Sequence, residues 1–314
     1  MAECALIVPL YRNAGNVPAL LERLAQIHAA VPGGVEAVCV VDGSPDDCHA
    51  LLAAALPRMP FASRLLLLSR NFGSFPAIRA GLAATPAAQL AVMAADLQEP
   101  AELIVEFFRV LREEPVDVAV GTRIVRADAL AARLGAGLFW GLYRRFVQRE
   151  LPRGGIDVFA CNRAFRDHLL RFTESNSSLV GQLLWLGFRR REVPYERQAR
   201  EVGRSAWTLR RKLRYLMDSV FSFSDLPIRA FLALGGAGLA AAAVFAVVVV
   251  AARLAGWFEV PGYAATVITV LFFSGLNLFG LGIIGSYVWR AYENTKARPL
   301  SVVMREDTFD PRSQ

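Results

Sequence analysis

The chain has 314 residues, enough for a catalytic domain and a further segment. Hydrophobic residues make up 54% of it, and 35 Lys and Arg residues outnumber 28 Asp and Glu residues. Because the apolar excess lies after residue 228, this basic chain is expected to meet anionic lipid or phosphate ligands rather than nucleic acid. The cysteines (Cys4, Cys39, Cys48 and Cys161) lack paired spacing, which argues against a disulfide framework and against a zinc site.

Apolar runs alternate with helical patterns through the first part of the chain. The predicted strands are Ala5–Tyr11, Glu36–Ser44, Arg64–Ser74, Gln89–Pro100 and Asp117–Arg123. Helices are predicted over 16–31, 75–84 and 101–113. This alternation implies an α/β fold with a mainly parallel sheet, in which ligands bind beyond the carboxyl ends of the strands. The polar residues at those ends are Tyr11, Asp42, Ser69–Asn71, Asp96 and Arg123.

Two hydrophobic segments follow, over 228–252 and 264–289, and each is long enough to cross a hydrocarbon core of about 30 Å. A hairpin buried in a soluble protein is the alternative. Basic residues flank the pair on its outer sides, so the positive-inside rule places both outer ends and the catalytic domain in the cytoplasm. The residues at 207–227 are expected to form an amphipathic helix on the membrane surface, or else an ordinary solvated helix.

The predicted organisation is therefore a chain of five parts. They are a catalytic domain over 1–206, a juxtamembrane helix over 207–227, transmembrane helices over 228–252 and 264–289, and a cytoplasmic tail over 290–314. Within the tail, Glu306–Gln314 is expected to be frayed. The segment Leu130–Val147 is either a membrane-surface helix or a packed core helix.

The string AADLQEP at the end of a predicted buried strand carries the strongest chemical signal. Asp96 and Gln98 can both turn oxygen ligands toward one point there. Mg²⁺ and Mn²⁺ take few protein oxygens and fill the remaining positions with diphosphate and water. The alternative is a helix cap before Pro100.

Seven strings that include this one occur along the chain: VPLYRN (Val8–Asn13), VVDGSPDD (Val40–Asp47), SRNFGSFPAIRAGL (Ser69–Leu82), ADLQEP (Ala95–Pro100), VGTR (Val120–Arg123), VPYERQAR (Val193–Arg200) and GRSAW (Gly203–Trp207). In this order they resemble the family 2 glycosyltransferases with a GT-A domain, in the group of dolichol- and polyprenyl-phosphate sugar synthases. The two hydrophobic segments extend the resemblance to the bacterial type with two transmembrane helices.

The resemblance implies an inverting enzyme of the inner membrane. It would move a sugar from a nucleoside diphosphate, UDP in preference to GDP, to polyprenyl (undecaprenyl) phosphate at the cytoplasmic face. The product would be a lipid-linked sugar for the cell envelope. Mg²⁺ or Mn²⁺ would be the cofactor. The resemblance also implies contact with membrane lipids, a homo-oligomer and a separate flippase.

Site residues are implied in the same way. Nucleotide sugar would be bound by Pro9, Leu10, Tyr11, Asp42, Arg70, Asn71, Ala95, Asp96 and Gln98, with the metal on Asp96 and Gln98. Lipid phosphate would be bound by Arg123, Arg133, Arg204 and Ser205. The catalytic set would be Asp96, Asp157 and Arg123. Asp42 would accept a hydrogen bond from the base or, alternatively, serve as a turn residue. Asp157 would act as a base, orient the acceptor or, alternatively, play a structural role.

The chain also departs from the family pattern. Ala94 stands where an acidic residue is common, and the segment around Asp157 lacks the usual arginine. These departures keep open a catalytically inactive pseudo-glycosyltransferase that binds nucleotide sugar or lipid and scaffolds a membrane complex. A processive polysaccharide synthase is disfavoured, because the sequence has no Gln-x-x-Arg-Trp motif.

Overall fold

A computed structural model of the chain describes residues 3–124, 150–152, 154–198, 217–256 and 262–311. The strands are β1 (Cys4–Leu10), β2 (Val35–Val41), β3 (Ser63–Leu68), β4 (Gln89–Val92), β5 (Val118–Arg123), β6 (Phe159–Asn162), β7 (Arg190–Tyr195) and β8 (Val303–Phe309). The longer helices are α1 (Val17–Ala30), α2 (Cys48–Ala55), α3 (Ser74–Ala84), α4 (Ala101–Glu113), α5 (Arg163–Leu169), α6 (Leu179–Trp185), α7 (Leu226–Leu254) and α8 (Tyr263–Thr295).

The strands form one sheet in the order β7-β5-β6-β4-β1-β2-β3-β8. Strands β1 to β4 run parallel to one another, and β7 runs parallel to β5. Between β4 and β5 lies β6, antiparallel to both. The predicted fold class, an α/β domain with a mainly parallel sheet, is confirmed. The predicted third and fourth strands were too long, because β3 ends at Leu68 and β4 at Val92.

Helices cover both faces of the sheet, which is why its central strands are apolar throughout. Alternate residues of β1 point to opposite faces. Leu6 and Val8 join a core that includes residues of α1, α2 and α4, whereas Ala5 and Ile7 join a core with α3, α5 and α6. Helix α4 has the matching pattern, with Ile104 buried on the sheet side. The four cysteines are buried free thiols.

Strand β8 corrects the expectation of a frayed tail. Residues 303–309 pair antiparallel with β3 at the edge of the sheet, and Glu306 lies opposite Leu66. The Arg64 guanidinium joins the strands, with Nε 2.7 Å from Glu36 Oε1 and Nη1 3.3 Å from Glu306 Oε1. This strand was not predicted from the sequence, because β8 has three consecutive charged residues at its centre and no alternation of apolar and polar residues.

Removing β8 is expected to destabilise the catalytic domain. A chain that ends at Ser301 loses six residue pairs with β3 and leaves a hydrophobic edge unpaired. We expect its unfolding temperature to fall by about 5 °C or more, as measured by thermal unfolding in detergent. A chain that ends at Asp310 keeps β8 and is the control. Equal unfolding temperatures for the two truncated chains would show that the β3–β8 pairing contributes no stability.

Helices α7 and α8 are long, apolar and almost entirely exposed. Their most hydrophobic parts, Leu226–Ala252 and Phe272–Thr295, contain 27 and 24 residues, enough to cross a bilayer. They pack against each other through Phe231 and Phe279, whose ring centroids are 6.5 Å apart. This exposure rules against the alternative of a hairpin buried in a soluble core. Residues 217–223, before α7, are helical, but the rest of the predicted juxtamembrane helix up to 216 and the segment Leu130–Val147 lie outside the described residues.

Candidate active site

The predicted site residues that the structure describes meet at one edge of the sheet. Strands β1 to β5 all run in the same direction, and the antiparallel β6 lies between β4 and β5. The carboxyl ends of β1 to β5 therefore share this edge. Asp42 directly follows β2, and Arg123 is the last residue of β5. Asp96 follows β4 after a short turn. The residues predicted to bind the base lie at β1 to β3, called the nucleotide side below, and those predicted to bind metal and phosphate lie at β4 and β5, beside β7.

On the nucleotide side, Asp42 holds the loop after β3. Its Oδ1 accepts a hydrogen bond from the backbone N–H of Phe72 at 2.7 Å, and its Oδ2 accepts from Gly73 at 2.8 Å. The side chain is almost fully buried, and burial raises the pKa of its carboxyl group while the two N–H donors lower it. The adjacent Gly43 has φ +54°, and a Cβ there would lie 2.2 Å from the backbone of Arg70. The β2 and β3 loops are therefore packed backbone to backbone.

The carboxylate of Asp42 is expected to be as important for stability as for nucleotide binding. Asp42→Ala leaves two N–H groups without their acceptor, so we expect the free energy of unfolding to fall by about 2–4 kcal/mol. Nucleotide affinity should fall with it, because the loop carrying Arg70 loses its support. Chemical denaturation and nucleotide titration measure the two effects. Asp47→Ala, at an exposed N-cap position without a side-chain cap bond, is the control. Unchanged stability in Asp42→Ala would contradict this bracing role.

The loop after β1 is held from the β2 side. The backbone N–H of Arg12 donates to Ser44 Oγ at 2.7 Å, and that of Ala14 donates to Asp46 Oδ2 at 2.9 Å. This fixes Arg12 at φ +57°. The side chains of Pro9 and Tyr11 remain partly exposed, but that of Leu10 is buried in the core. Only the backbone of Leu10 is therefore left to face a base.

Other residues predicted to bind the nucleotide border the same edge. The Arg70 guanidinium lies 4.3 Å from the ring centroid of Phe72, and Asn71 Nδ2 donates to the carbonyl of Asp42 at 3.4 Å. Ala95 is buried, and its carbonyl accepts from Asn16 Nδ2 at 3.1 Å. Ala95 therefore contributes to the site through its backbone.

The loop 94–99 presents the predicted metal ligands. Leu97 has φ +57°, an unusual conformation for leucine, and it turns the chain between Asp96 and Gln98. Glu99 closes the loop, because its buried Oε2 accepts from the backbone N–H of Ala94 at 3.3 Å. Burial, with a smaller contribution from the charge of Asp96, raises the pKa of Glu99 to about 7. Glu99 therefore places a carboxyl group beside Ala94, the position where the family pattern has an acidic residue.

The donor set suits a hard divalent cation. Asp96 and Gln98 offer a carboxylate and an amide oxygen, and these are ligand types of Mg²⁺ and Mn²⁺. Within the described residues, no group of three or more His, Cys, Asp and Glu side chains is arranged to hold a metal without other ligands. A cation at this edge would therefore depend on oxygens of its substrate and on water.

An ion pair lies beside this loop. Arg123 Nε is 2.6 Å from Asp157 Oδ2, and Arg123 Nη2 donates to Asp157 Oδ1 at 3.0 Å. The Tyr195 hydroxyl donates to the same carboxylate at 2.9 Å, and burial followed by the charge of Asp157 raises the pKa of Tyr195. Asp157 is thus fixed by two partners from β5 and β7, and it orients Arg123 toward the edge.

Arg197, two residues after Tyr195, also reaches the site, where its Nη2 donates to Gln98 Oε1. The sequence interpretation assigned no role to Tyr195, Arg197 or Glu99. All three were nevertheless inside the strings VPYERQAR and ADLQEP. Arg133, Arg204 and Ser205, predicted to bind lipid phosphate, lie outside the described residues.

Comparison with known proteins gives a consistent result. Residues 5–172 match the model of glycosyl transferase family 2. The protein CsbB of Bacillus subtilis is 32% identical over 298 residues, covering 94% of this chain and 89% of CsbB. The undecaprenyl-phosphate 4-deoxy-4-formamido-L-arabinose transferase of Yersinia pestis is 29% identical, covering 96% and 93% of the two chains. The bactoprenol glucosyl transferase of Shigella phage SfX is 26% identical, covering 95% and 97%.

Proposed function

Since the chain belongs to glycosyl transferase family 2, we propose that this glycosyltransferase moves a sugar from a nucleoside diphosphate, UDP by preference, onto polyprenyl phosphate at the cytoplasmic face of the inner membrane. The observation that carries the proposal is the placement of Asp96 and Gln98 beside the Arg123–Asp157 pair, on a chain with two exposed apolar helices. The relatives from Yersinia pestis and phage SfX, by their names, use undecaprenyl phosphate and bactoprenol.

The donor would lie across the edge, with its base near Tyr11 and Asp42 and its diphosphate near the 94–99 loop. Asp96 and Gln98 would hold Mg²⁺ or Mn²⁺, which neutralises the negative charge of a leaving nucleoside diphosphate. Arg70, on the loop after β3, lies on the same nucleotide side. The loop after β3 is held by Asp42, and the loop after β1 is held by Ser44 and Asp46, so the nucleotide side is preorganised.

The acceptor needs alignment more than it needs a base. A phosphate monoester has a second pKa of about 6, so its oxygen is already anionic near neutral pH. That oxygen forms a bond to the anomeric carbon while the bond from this carbon to the β-phosphate oxygen breaks, which inverts the configuration. Arg123 offers two parallel N–H donors to phosphate oxygens, and Asp157 holds the guanidinium in place. Arg133, Arg204 and Ser205 are proposed as further phosphate ligands.

The path of the chain supports two membrane crossings. Strand β8 follows α8 and pairs with β3 of the catalytic domain. The end of α8 and the catalytic domain must therefore lie on the same side, which requires an even number of crossings. The basic residues Arg290, Lys296 and Arg298 at that end favour the cytoplasm. We retain the five-part organisation of the chain as a proposal, with β8 moved from the tail to the catalytic domain. A homo-oligomer and a separate flippase also remain predictions.

The direct test is transfer of labelled sugar by the purified chain in detergent. A panel of UDP- and GDP-sugars is supplied with undecaprenyl phosphate, in Mn²⁺, Mg²⁺ or EDTA. We expect metal-dependent labelling of the lipid from a UDP-sugar and none in EDTA. Labelling only from a GDP-sugar would overturn the choice of nucleotide. Nucleotide binding by a stable protein without transfer from any donor would favour the pseudo-glycosyltransferase.

A further inference from the structure

The side chain of Gln98, a predicted metal ligand, has other partners in this structure. Its Oε1 accepts a hydrogen bond from Arg197 Nη2, and its Nε2 donates to the carbonyl of Gln198 at 3.2 Å. Because a donor faces the oxygen and an acceptor faces the nitrogen, the partners themselves fix which way the amide points. The oxygen that would bind a cation is the one that binds a guanidinium.

The segment that carries Arg197 is anchored independently of this contact. The backbone N–H of Gln198 donates to the backbone carbonyl of Gln98 at 2.9 Å. Together with the Nε2 bond, this gives Gln98 and Gln198 two hydrogen bonds that do not involve Oε1. Gln98 can therefore exchange its partner at Oε1 while the segment stays where it is.

Arg197 also brings positive charge close to the acidic loop. Burial raises the pKa of Glu99, and the Arg197 charge acts in the opposite direction. The guanidinium thus lies among the groups that a divalent cation would neutralise. Two cations at this point repel each other, and one amide oxygen cannot direct the same lone pair to both.

We propose that Arg197 is a positioning residue that occupies Gln98 Oε1 in the empty enzyme and is replaced there by the divalent cation when the donor binds. This rests on the proposed function, because it takes Gln98 as a metal ligand. The displaced guanidinium remains on a segment fixed by Gln198, at the edge where the diphosphate enters. Its planar fork matches phosphate oxygens, so the residue that competes with the metal becomes available to the nucleotide.

The competition predicts an unusual direction of effect, since losing a site residue should improve metal binding. The full chain in detergent, without nucleotide, is titrated with Mn²⁺, and free Mn²⁺ is followed by electron paramagnetic resonance. We expect Arg197→Gln to bind Mn²⁺ about threefold more tightly than wild type; the effect is modest because the contact is exposed to solvent. Arg197→Lys retains the charge and should lie between the two. Arg191→Gln, at an exposed position of β7 paired with Glu114, should match wild type.

Two results separate the possible failures. If wild type binds Mn²⁺, Asp96→Asn does not, and Arg197→Gln binds it no more tightly than wild type, the inference about Arg197 is wrong and the metal site stands. If wild type and Asp96→Asn take up Mn²⁺ equally, or if neither takes it up even with UDP added, the proposed metal site is wrong and the inference falls with it. With UDP added, we expect the Arg197→Gln advantage to shrink or reverse, because the guanidinium then contributes to diphosphate binding.

Discussion

Replacing Asp96 with Asn is expected to reduce sugar transfer at least about a hundredfold at saturating metal and donor. Of the two proposed metal ligands, Asp96 and Gln98, only Asp96 has a carboxyl group. An amide binds a hard cation far less strongly than a carboxylate does. Structural damage should be small, since Asn has nearly the same shape. The measurement is the initial rate of label transfer to undecaprenyl phosphate, together with the unfolding temperature.

The control for Asp96 is Asp167→Asn on α5. Asp167 is exposed and pairs only with its neighbour Arg166 among the contacts found in the described residues. Both variants remove one negative charge from the same domain, so a general electrostatic effect would appear in both. Transfer by Asp96→Asn at more than about a tenth of the wild-type rate would show that Asp96 is not the principal metal ligand.

Replacing Asp157 with Ala should lower kcat by about tenfold to a hundredfold. The carboxylate accepts bonds from Arg123 and Tyr195 on both its oxygens, so we propose that it orients Arg123 and does not act as a base. Without it, Arg123 loses its fixed direction toward the proposed site of the acceptor phosphate. Tyr195→Phe keeps the ion pair and should cost only about threefold. The pH dependence of kcat should be unchanged in shape in both variants, whereas loss of a general base would alter it.

A second Arg–Asp pair supplies a matched control. At the opposite edge, Asp117 and Arg189 join the start of β5 to the residue before β7, with Arg189 Nε 2.9 Å from Asp117 Oδ2. Asp117→Asn weakens an Arg–Asp contact of the same kind at the other end of β5, and it should leave kcat unchanged. If both variants lowered kcat equally, the effect would come from the strand pairing and not from the orientation of Arg123.

The α/β class and the location of the site could be predicted from the sequence because both depend on local patterns. The buried parallel strands are continuous apolar runs, and β1, β2 and α4 begin and end within a few residues of their predicted bounds. Polar residues where such runs stop identify the carboxyl edge. The long apolar helices α7 and α8 have the same kind of signal, since a segment that could cross a bilayer must be long and apolar.

Elements whose signals are non-local were missed. Strand β6 has four residues and is defined by antiparallel pairing with β4 and β5. Strand β8 is charged, and it lies far from β3 along the chain. Their sequences contain too little apolar periodicity to predict a strand. Each strand is added to a sheet whose core is formed by other strands.

By itself, the sequence determined the type of domain, the two long apolar helices and the residues that gather at one edge, because hydrophobic periodicity and the polar residues at strand ends are local features of the chain. Tertiary structure alone decided how those residues are engaged. It gives Asp42 two backbone donors from the loop after β3. It pairs Asp157 with Arg123 and Tyr195, and it pairs Gln98 with Arg197. Such partners come from strands many residues apart, and a hydrogen bond depends on distance and direction in space, which no local pattern encodes.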